Sequence, residues 1–218
     1  MKQALIIYGG LEDHEPERVA GIFAEILKNE GFGVTLSGTL DSFGDSKMLM
    51  NQNLIIPHWT DGEINPQYAA NVLGAVASGA GLAGCHGGLC AAFSGCLEWH
   101  FMTGAQFVAH PGDDGVEYEV NITPNTGSEI TKGINDFTIK SEQYYLHVDP
   151  VVNILATTRF PTTDGSHTPN GNVDVPVVYT KKWGKGKVFY NSLGHKASVF
   201  DIPEVIELTR RGFLWAKK

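Results

Sequence analysis

The stretch Ser78–Gly112, SGAGLAGCHGGLCAAFSGCLEWHFMTGAQFVAHPG, constrains the fold more than any other part of the chain. Gly79–Cys85 is a short run of small and apolar residues, the composition of a strand buried on both faces in the middle of a sheet. It meets His86-Gly87-Gly88 and passes into Leu89–Trp99, whose apolar residues have helical spacing. A buried strand that delivers one polar side chain at a glycine-rich turn, directly before a helix, has the layout of a nucleophile elbow. Glycines admit the strained turn, and the start of the following helix offers backbone N–H groups to an anion or a polarised oxygen. The residue at the tip is His86, not serine or cysteine, so the chemistry available at this turn is that of an imidazole.

The rest of the chain supplies a frame for such a strand. Gln3–Tyr8 reads as a first buried strand closed by Gly9-Gly10. His14-Glu15-Pro16-Glu17 opens a helix whose apolar face is Val19, Ile22, Phe23, Ile26 and Leu27, and Gly31 stops it. Phe32–Ser37 and Asn53–Pro57 are further strands, separated by a loop around Asp41–Asp45, and Pro66–Ala77 is an alanine-rich helix. Strands alternating with helices imply a parallel sheet with right-handed crossovers. After His110-Pro111 the texture changes. Val116–Ile122 alternates, Ile134–Ile139 is short, Leu146–Ala156 is β-rich, and Val175–Lys182 with Lys187–Tyr190 forms a hairpin across Trp183–Gly186. Pro203–Ala216 is a closing helix, and neither a repeat nor a linker interrupts residues 1–218, which read as one domain. Ligands of open α/β sheets bind at the carboxyl ends of the parallel strands. Gly9–His14, His58–Asp61, Cys85–Gly88 and Gly194-His195 all fall at that edge.

Bulk properties exclude several function classes. A formal charge of −8 without a Lys/Arg cluster argues against a nucleic-acid partner. No apolar run is long enough to span a bilayer, and MKQALIIYGG lacks the apolar region and cleavage site of a signal peptide, so the expectation is a cytoplasmic protein. Cys85, Cys90 and Cys96 form no CxxC and read as small buried residues, not as a disulfide or zinc framework.

With these segments identified, the chain resembles the trehalose-utilisation ThuA-like family, a branch of the class I glutamine amidotransferase-like superfamily. The residues that carry the resemblance are Gly9, Gly10 and His14, the GLAGCHGG segment around His86, GAQFVAHPG ending at His110-Pro111, SEQYY at Ser141–Tyr145, and the final WGKGKVFYNSLGH and FLWA blocks. The resemblance implies a flavodoxin-like or amidotransferase-like α/β three-layer sandwich, with a mostly parallel central sheet and antiparallel additions in the C-terminal half. It also implies a link to carbohydrate metabolism, often alongside sugar oxidoreductases that make 3-keto sugars. A glutaminase of the superfamily needs a cysteine thiolate at the elbow. Here His86 holds the tip and Cys85 should point to the other side of the strand. His195 falls where the superfamily's catalytic histidine would be, but Lys196-Ala197 follows in place of a proline and an orienting glutamate. A Cys-His-Glu triad is absent, and glutaminase activity is rejected.

The candidate catalytic residues are His86, His195 and Glu142. Imidazole titrates near neutrality and is the commonest metal ligand, and a carboxyl group beside aromatic residues such as Tyr144 can serve as general acid or bind sugar hydroxyls. The bland alternatives are a turn-satisfying role for His86, a loop-capping role for His195 and an exposed strand position for Glu142. His14, Trp59, Asp61, Gly87, His110 and Tyr144 are candidate substrate-binding groups. The alternatives to these roles are a cap for the following helix at Asp13 or His14, an N-cap at Asp61, a brace for the elbow at His110, and simple packing for the aromatic residues. His100 sits near a helix end, where a cation favours the dipole. A divalent metal, zinc or manganese, would have to be held by residues among His14, His86, His110, Glu142 and His195, since no HxH or HxxxH spacing gives a local site. Two functions remain: an enzyme acting on a sugar or 3-keto-sugar by proton abstraction, hydration or elimination, or hydrolysis, and a non-catalytic carbohydrate-binding or regulatory protein. The Phe160–Asn172 loop suits either a lid or a contact in a homo-oligomer.

Overall fold

The parallel half of the sheet forms first in the chain and sets the edge at which the site lies. The structure, a computed structural model, describes residues 1–218. β1 (Lys2–Gly10), β2 (Phe32–Ser37), β3 (Leu54–Thr60) and β4 (Gly81–Cys85) alternate with the helices α1 (Pro16–Asn29), α2 (Ser46–Met50) and α3 (Pro66–Ala77). After β4 come α4 (Gly87–Cys90), α5 (Leu97–Thr103) and the strands β5 (Ala105–Ala109), β6 (Val116–Ile122), β7 (Phe137–Ser141), β8 (Tyr145–Val148), β9 (Asn153–Phe160), β10 (Val173–Trp183) and β11 (Gly186–Asn191). α6 (Pro203–Ala216) closes the chain. The main sheet has the order β2-β1-β3-β4-β11-β10-β9-β6-β7. The β2-β1-β3-β4-β11 block is parallel and the remaining pairs are antiparallel. β5 and β8 pair separately. In the parallel block the order is that of a flavodoxin-like sheet, whose topological switch point lies between β1 and β3.

Strand alternation divides the core into two layers. Ala4 and Ile6 of β1, Ile56 of β3 and Ala83 of β4 face α1 and α6, where Phe23 packs edge-on against Phe200 and Phe213. Leu5, Ile7, Ile55 and Leu82 face the opposite way, toward α3 and α5. Each of these side chains is fully buried, which removes roughly 1.5–3 kcal/mol of apolar exposure per large residue. The result is the expected three-layer sandwich. No helix is long and apolar enough to cross a membrane.

Phe32–Ser37, Pro66–Ala77, Val116–Ile122 and Pro203–Ala216 form with the expected bounds. The hairpin strands run longer than expected and close on Gly184-Lys185, with Gly184 at φ 57. Two expectations are corrected. The Asp41–Asp45 loop is a 3-10 turn, Leu40–Gly44, leading into α2, whose N-cap Asp45 accepts from the Met48 N–H at 2.9 Å. The helix over Leu89–Trp99 does not exist as one element. It is the single turn α4, then irregular chain in which Phe93 takes φ 53, then α5. Leu89, Phe93 and Trp99 are buried as their spacing requires, yet Ser94-Gly95 favours a break. The indole N–H of Trp99 donates back to the Leu89 carbonyl at 3.0 Å, tying the two pieces together.

α6 is anchored by charge. Glu207 accepts from Arg210 Nε at 2.8 Å and Arg211 Nε at 2.6 Å, while Arg210 also reaches Glu30. Hydrogen bonds from Arg210 hold the Glu207 carboxyl down at about 2 against the opposing effect of burial. A depressed carboxylate stabilises the fold above its unfolded value of 4.5, and that contribution fades as pH falls toward about 2. Glu207→Gln is therefore expected to lose about 0.5–1 kcal/mol at pH 7 and to match the wild type near its own acid limit. Urea unfolding across that pH window measures it.

Candidate functional site

Three loops at the carboxyl edge of the parallel strands bring three histidines together. β1 ends at Gly10 and the next turn carries His14. β4 ends at Cys85, and His86 takes φ 49 and ψ −136. β11 ends at Asn191 and is followed by Ser192-Leu193-Gly194-His195. The ring centroid of His14 lies 5.2 Å from that of His86 and 4.9 Å from that of His195, and His86 and His195 are 5.4 Å apart. The fourth member comes from the antiparallel half. On leaving β7, residues 142–144 turn inward before β8 and place Glu142 against the cluster, with Oε2 3.1 Å from His86 Nε2 and Oε1 3.6 Å from His195 Nε2. All four side chains are buried, Glu142 being the most exposed at 8%.

The elbow geometry expected at His86 is present. A positive φ at a histidine is uncommon and costs on the order of 1–3 kcal/mol, so the surrounding structure must enforce it. The His86 N–H donates to the Asn191 carbonyl at 2.7 Å, and Tyr190 OH donates to the His86 carbonyl at 3.0 Å. A methyl group on Gly87 would lie 2.6 Å from Thr60, and one on Gly88 2.8 Å from His58 Cα. Gly87, expected at the substrate wall, is thus needed for the close approach of the elbow to β3. Because α4 is a single turn, the long helix expected to aim its N–H groups at an anion is replaced by this elbow alone.

Each ring has an acceptor on its Nδ1 side. His86 Nδ1 is 2.9 Å from the Ser192 carbonyl, which can only accept, so Nδ1 carries the proton and Nε2 presents its lone pair to Glu142. His14 Nδ1 donates to Asp13 Oδ1 at 2.9 Å. His195 Nδ1 lies 3.3 Å from Asp114 Oδ1, and neither His195 nitrogen has an aligned hydrogen bond. Burial pushes His86 down to about 4, despite the opposing pull of Glu142 and the Ser192 carbonyl. Burial alone would raise Glu142; His86, His195 and His110 around it outweigh that and hold it below the ordinary carboxylate range. With Nδ1 protonated against the Ser192 carbonyl, the Nε2 lone pair of His86 faces the Glu142 carboxyl group.

A second set of contacts fixes these groups. Tyr144 stacks on His86 with centroids 3.9 Å apart, and Tyr118 OH donates to the Glu142 carbonyl at 2.9 Å. Gln143 Nε2 donates to Thr158 Oγ1 at 2.8 Å. Glu15 Oε2 accepts from the Ala197 N–H at 2.9 Å, stitching the loop of His14 to the loop of His195. Lys196 donates to Asp114 at 2.6 Å. Glu15→Ala is expected to cost about 1 kcal/mol in urea unfolding and to speed hydrogen exchange of the Ala197 amide more than tenfold.

The remaining expected site residues divide. Glu142 is not the exposed strand residue of the bland reading, and neither Asp13 nor His14 caps α1, whose first turn starts from Glu15 without a side-chain cap. His110 is about one-third exposed, stacks on Phe107 at 5.6 Å and has Asp113 Oδ1 3.1 Å from its Nδ1. It buttresses the Tyr144 side and stands outside the donor cluster. Asp61 is exposed at φ 67, and the N-cap of α3 is Asn65 instead. Trp59 is half-buried with its ring over Gly9, where a methyl group would meet it at 2.5 Å. Trp99 and Trp183 serve packing, their N–H groups bonded to the carbonyls of Leu89 and Leu73. His100 bonds to the Ser94 carbonyl, and His147 is exposed on β8. His58 is a neutral core histidine pushed down to about 3 by burial. Cys85 lies in the apolar layer beneath the elbow, and burial drives its thiol well above the ordinary range, so no thiolate stands at the tip. Asp114 and the Ser192 carbonyl were not legible in the sequence. Asp114 approaches His195 Nδ1 from a loop 81 positions earlier.

A groove of about 760 Å³ lies elsewhere, along α3, lined by Glu63, Ile64, Leu73, Phe93 and Cys96 among others. It contains no buried charged side chain. The histidine cluster, with convergent desolvated groups, is the better candidate for chemistry.

Similarity to known proteins agrees with this architecture. The chain superposes on a ThuA-like protein from Bacteroides uniformis ATCC 8492 with a TM-score of 0.77 at 19% identity, covering 99% of this chain and 91% of that one. The cytoplasmic protein STM1381 from Salmonella typhimurium LT2 gives a TM-score of 0.71 at 13% identity, with both chains covered fully, 100% each. A β-galactosidase from Bacillus circulans sp. alkalophilus gives 0.57 at 14% identity, covering 99% of this chain and 30% of that one. No protein of curated function matches. The family model described as ThuA, trehalose utilisation, matches residues 3–216, and the chain belongs to that family.

Proposed function

We propose that this chain is an enzyme of carbohydrate metabolism that acts on a sugar or 3-keto-sugar at the His14–His86–Glu142–His195 cluster. One observation carries the reading: a buried carboxyl group, that of Glu142, clustered with three imidazoles at the carboxyl edge of the parallel strands. Proton transfer needs a group whose nitrogen is free of competing bonds, and His195 has two such nitrogens, with Asp114 beside Nδ1. In this reading His195 removes a proton next to the sugar carbonyl or activates water. Asp114 steadies the imidazolium that results, and Glu142 holds His86 and His195 in register. Trp59, half-buried beside Gly9, offers a face for the sugar ring, and Tyr144 backs the elbow. Proton abstraction, hydration or elimination, and hydrolysis of a keto-glycoside all use these groups. Membership in a trehalose-utilisation family supports the substrate class. The free cysteines, and the description of the Salmonella neighbour as cytoplasmic, support action in the cytoplasm.

The test is a screen of trehalose, related glycosides and their 3-keto derivatives, read by product analysis and by solvent-deuterium incorporation at carbon. Turnover that disappears in His195→Gln is the expected result. Thermal stabilisation by a sugar with neither product nor exchange under any condition would reject catalysis and leave a carbohydrate-binding protein.

A further inference from the structure

We propose that ring nitrogens of His14, His86 and His195, together with the Glu142 carboxylate, form a mononuclear site for a divalent transition metal. The inference deepens the proposed function, since it concerns the same cluster and rests on that reading for its chemical use; the site itself rests on geometry. One donor atom each from His14, His86 and Glu142 lies within 4.8 Å of the others, and His195 closes the set with Nε2 3.6 Å from Glu142 Oε1. Metal–ligand bonds of about 2.0–2.2 Å at tetrahedral to octahedral angles put neighbouring donors about 3–3.5 Å apart. The His86–Glu142 separation of 3.1 Å falls in that range and the His195–Glu142 separation of 3.6 Å lies just above it.

The protonation pattern points the same way. Metal-binding histidines donate one ring N–H to a carbonyl or carboxylate, which fixes the tautomer and aims the other lone pair at the ion. Here His86 donates Nδ1–H to the Ser192 carbonyl, His14 donates to Asp13, and His195 has Asp114 against Nδ1. That is three histidines from three loops, each with an acceptor on its Nδ1 side. The nitrogens left over have no such explanation. His195 is 3% exposed and both of its nitrogens lack an aligned partner. The lone pair of His86 Nε2 meets a carboxylate oxygen at hydrogen-bond distance, with only one of the two ring protons available to satisfy two acceptors. A cation between them removes the conflict. Three imidazoles and one carboxylate suit zinc and its first-row neighbours better than magnesium or calcium, which favour all-oxygen sets. Bound there with His195 Nε2 as a ligand, the ion would polarise a carbonyl or hydroxyl oxygen of the substrate, and a water on it would take over the proton removal assigned above to His195.

The experiment uses the full, untagged chain, stripped with chelator and titrated with Zn²⁺, Mn²⁺ and, as a spectroscopic probe, Co²⁺, with no sugar present. The expected result is uptake of one ion per chain. Affinity should fall at least 100-fold in His86→Ala and in the near-isosteric Glu142→Gln, and 10–100-fold in Asp13→Asn, which touches only the outer side of His14. His147→Ala, on an exposed face, should bind as the wild type does. Circular dichroism and the retained melting transition of Glu142→Gln separate loss of a ligand from loss of the fold. Failure of the stripped wild type to take up a stoichiometric ion, or uptake unchanged in both His86→Ala and Glu142→Gln, overturns the site. Full turnover in excess chelator also overturns it while leaving the proposed function standing. Tight metal binding without turnover on any sugar supports the site and rejects the function instead.

Discussion

Replacing His86 with alanine is expected to lower kcat/KM on a sugar found by the screen by about 10²–10⁴-fold, or about 2.7–5.4 kcal/mol of transition-state stabilisation. The side chain joins every part of the cluster: Nδ1 to the Ser192 carbonyl, Nε2 to Glu142, and its ring face to Tyr144. Removing it frees Glu142 to turn and withdraws the stacking surface that fixes Tyr144. The backbone at this position separates the catalytic loss from a folding defect. At φ 49 an alanine keeps the strain that histidine bears, whereas glycine relieves it. His86→Gly is therefore expected to unfold about 1 kcal/mol later than His86→Ala while being equally inactive. A His86→Ala protein with undiminished turnover would remove the elbow from the mechanism.

The second large effect is one of stability. Gly10 ends β1 opposite Thr60, with φ 88, and a Cβ there would lie 2.0 Å from the Thr60 carbonyl oxygen and 2.7 Å from its nitrogen. Neither partner is a flexible side chain, so the strands must part at the switch point. Gly10→Ala is expected to cost about 3 kcal/mol or more, combining backbone strain with a forced separation of main chains. Because His14 follows this turn, the variant should also weaken any ligand or metal bound at the cluster. Gly21 on α1 is the control, as nothing lies within 4 Å of its missing methyl group. Gly21→Ala should gain about 0.5–1 kcal/mol from helix propensity. Equal effects of the two substitutions in urea unfolding would refute the steric argument.

Much of the fold was legible because it is written in local patterns. The small-residue run before His86 marked the central strand, and the apolar faces of Pro16–Asn29 and Pro203–Ala216 marked helices that cover one side of the sheet. The glycines at 9, 10, 87 and 88 marked turns and close approaches. Where local pattern misled, tertiary packing was the cause. Leu89, Phe93 and Trp99 have helical spacing, but they are buried by two pieces of chain joined through Phe93 at positive φ.

The sequence by itself placed His14, His86 and Gly194-His195 at one edge of the sheet; that the hairpin strand before His195 joins the parallel block, beside β4, came from the tertiary structure. The sequence contained no information on how far apart they stand. That depended on the strand order, which sets β1, β3, β4 and β11 side by side, and on the return of residues 142–144 from the far end of the sheet. Only the tertiary structure decided that Glu142 is buried between His86 and His195, that the Ser192 carbonyl and Asp114 stand on the Nδ1 sides of those rings, and that His110 and Asp61 stand aside. The reason is physical: periodicity records which face of an element is buried, whereas contacts between residues separated by 56 or 106 positions depend on how whole elements stack.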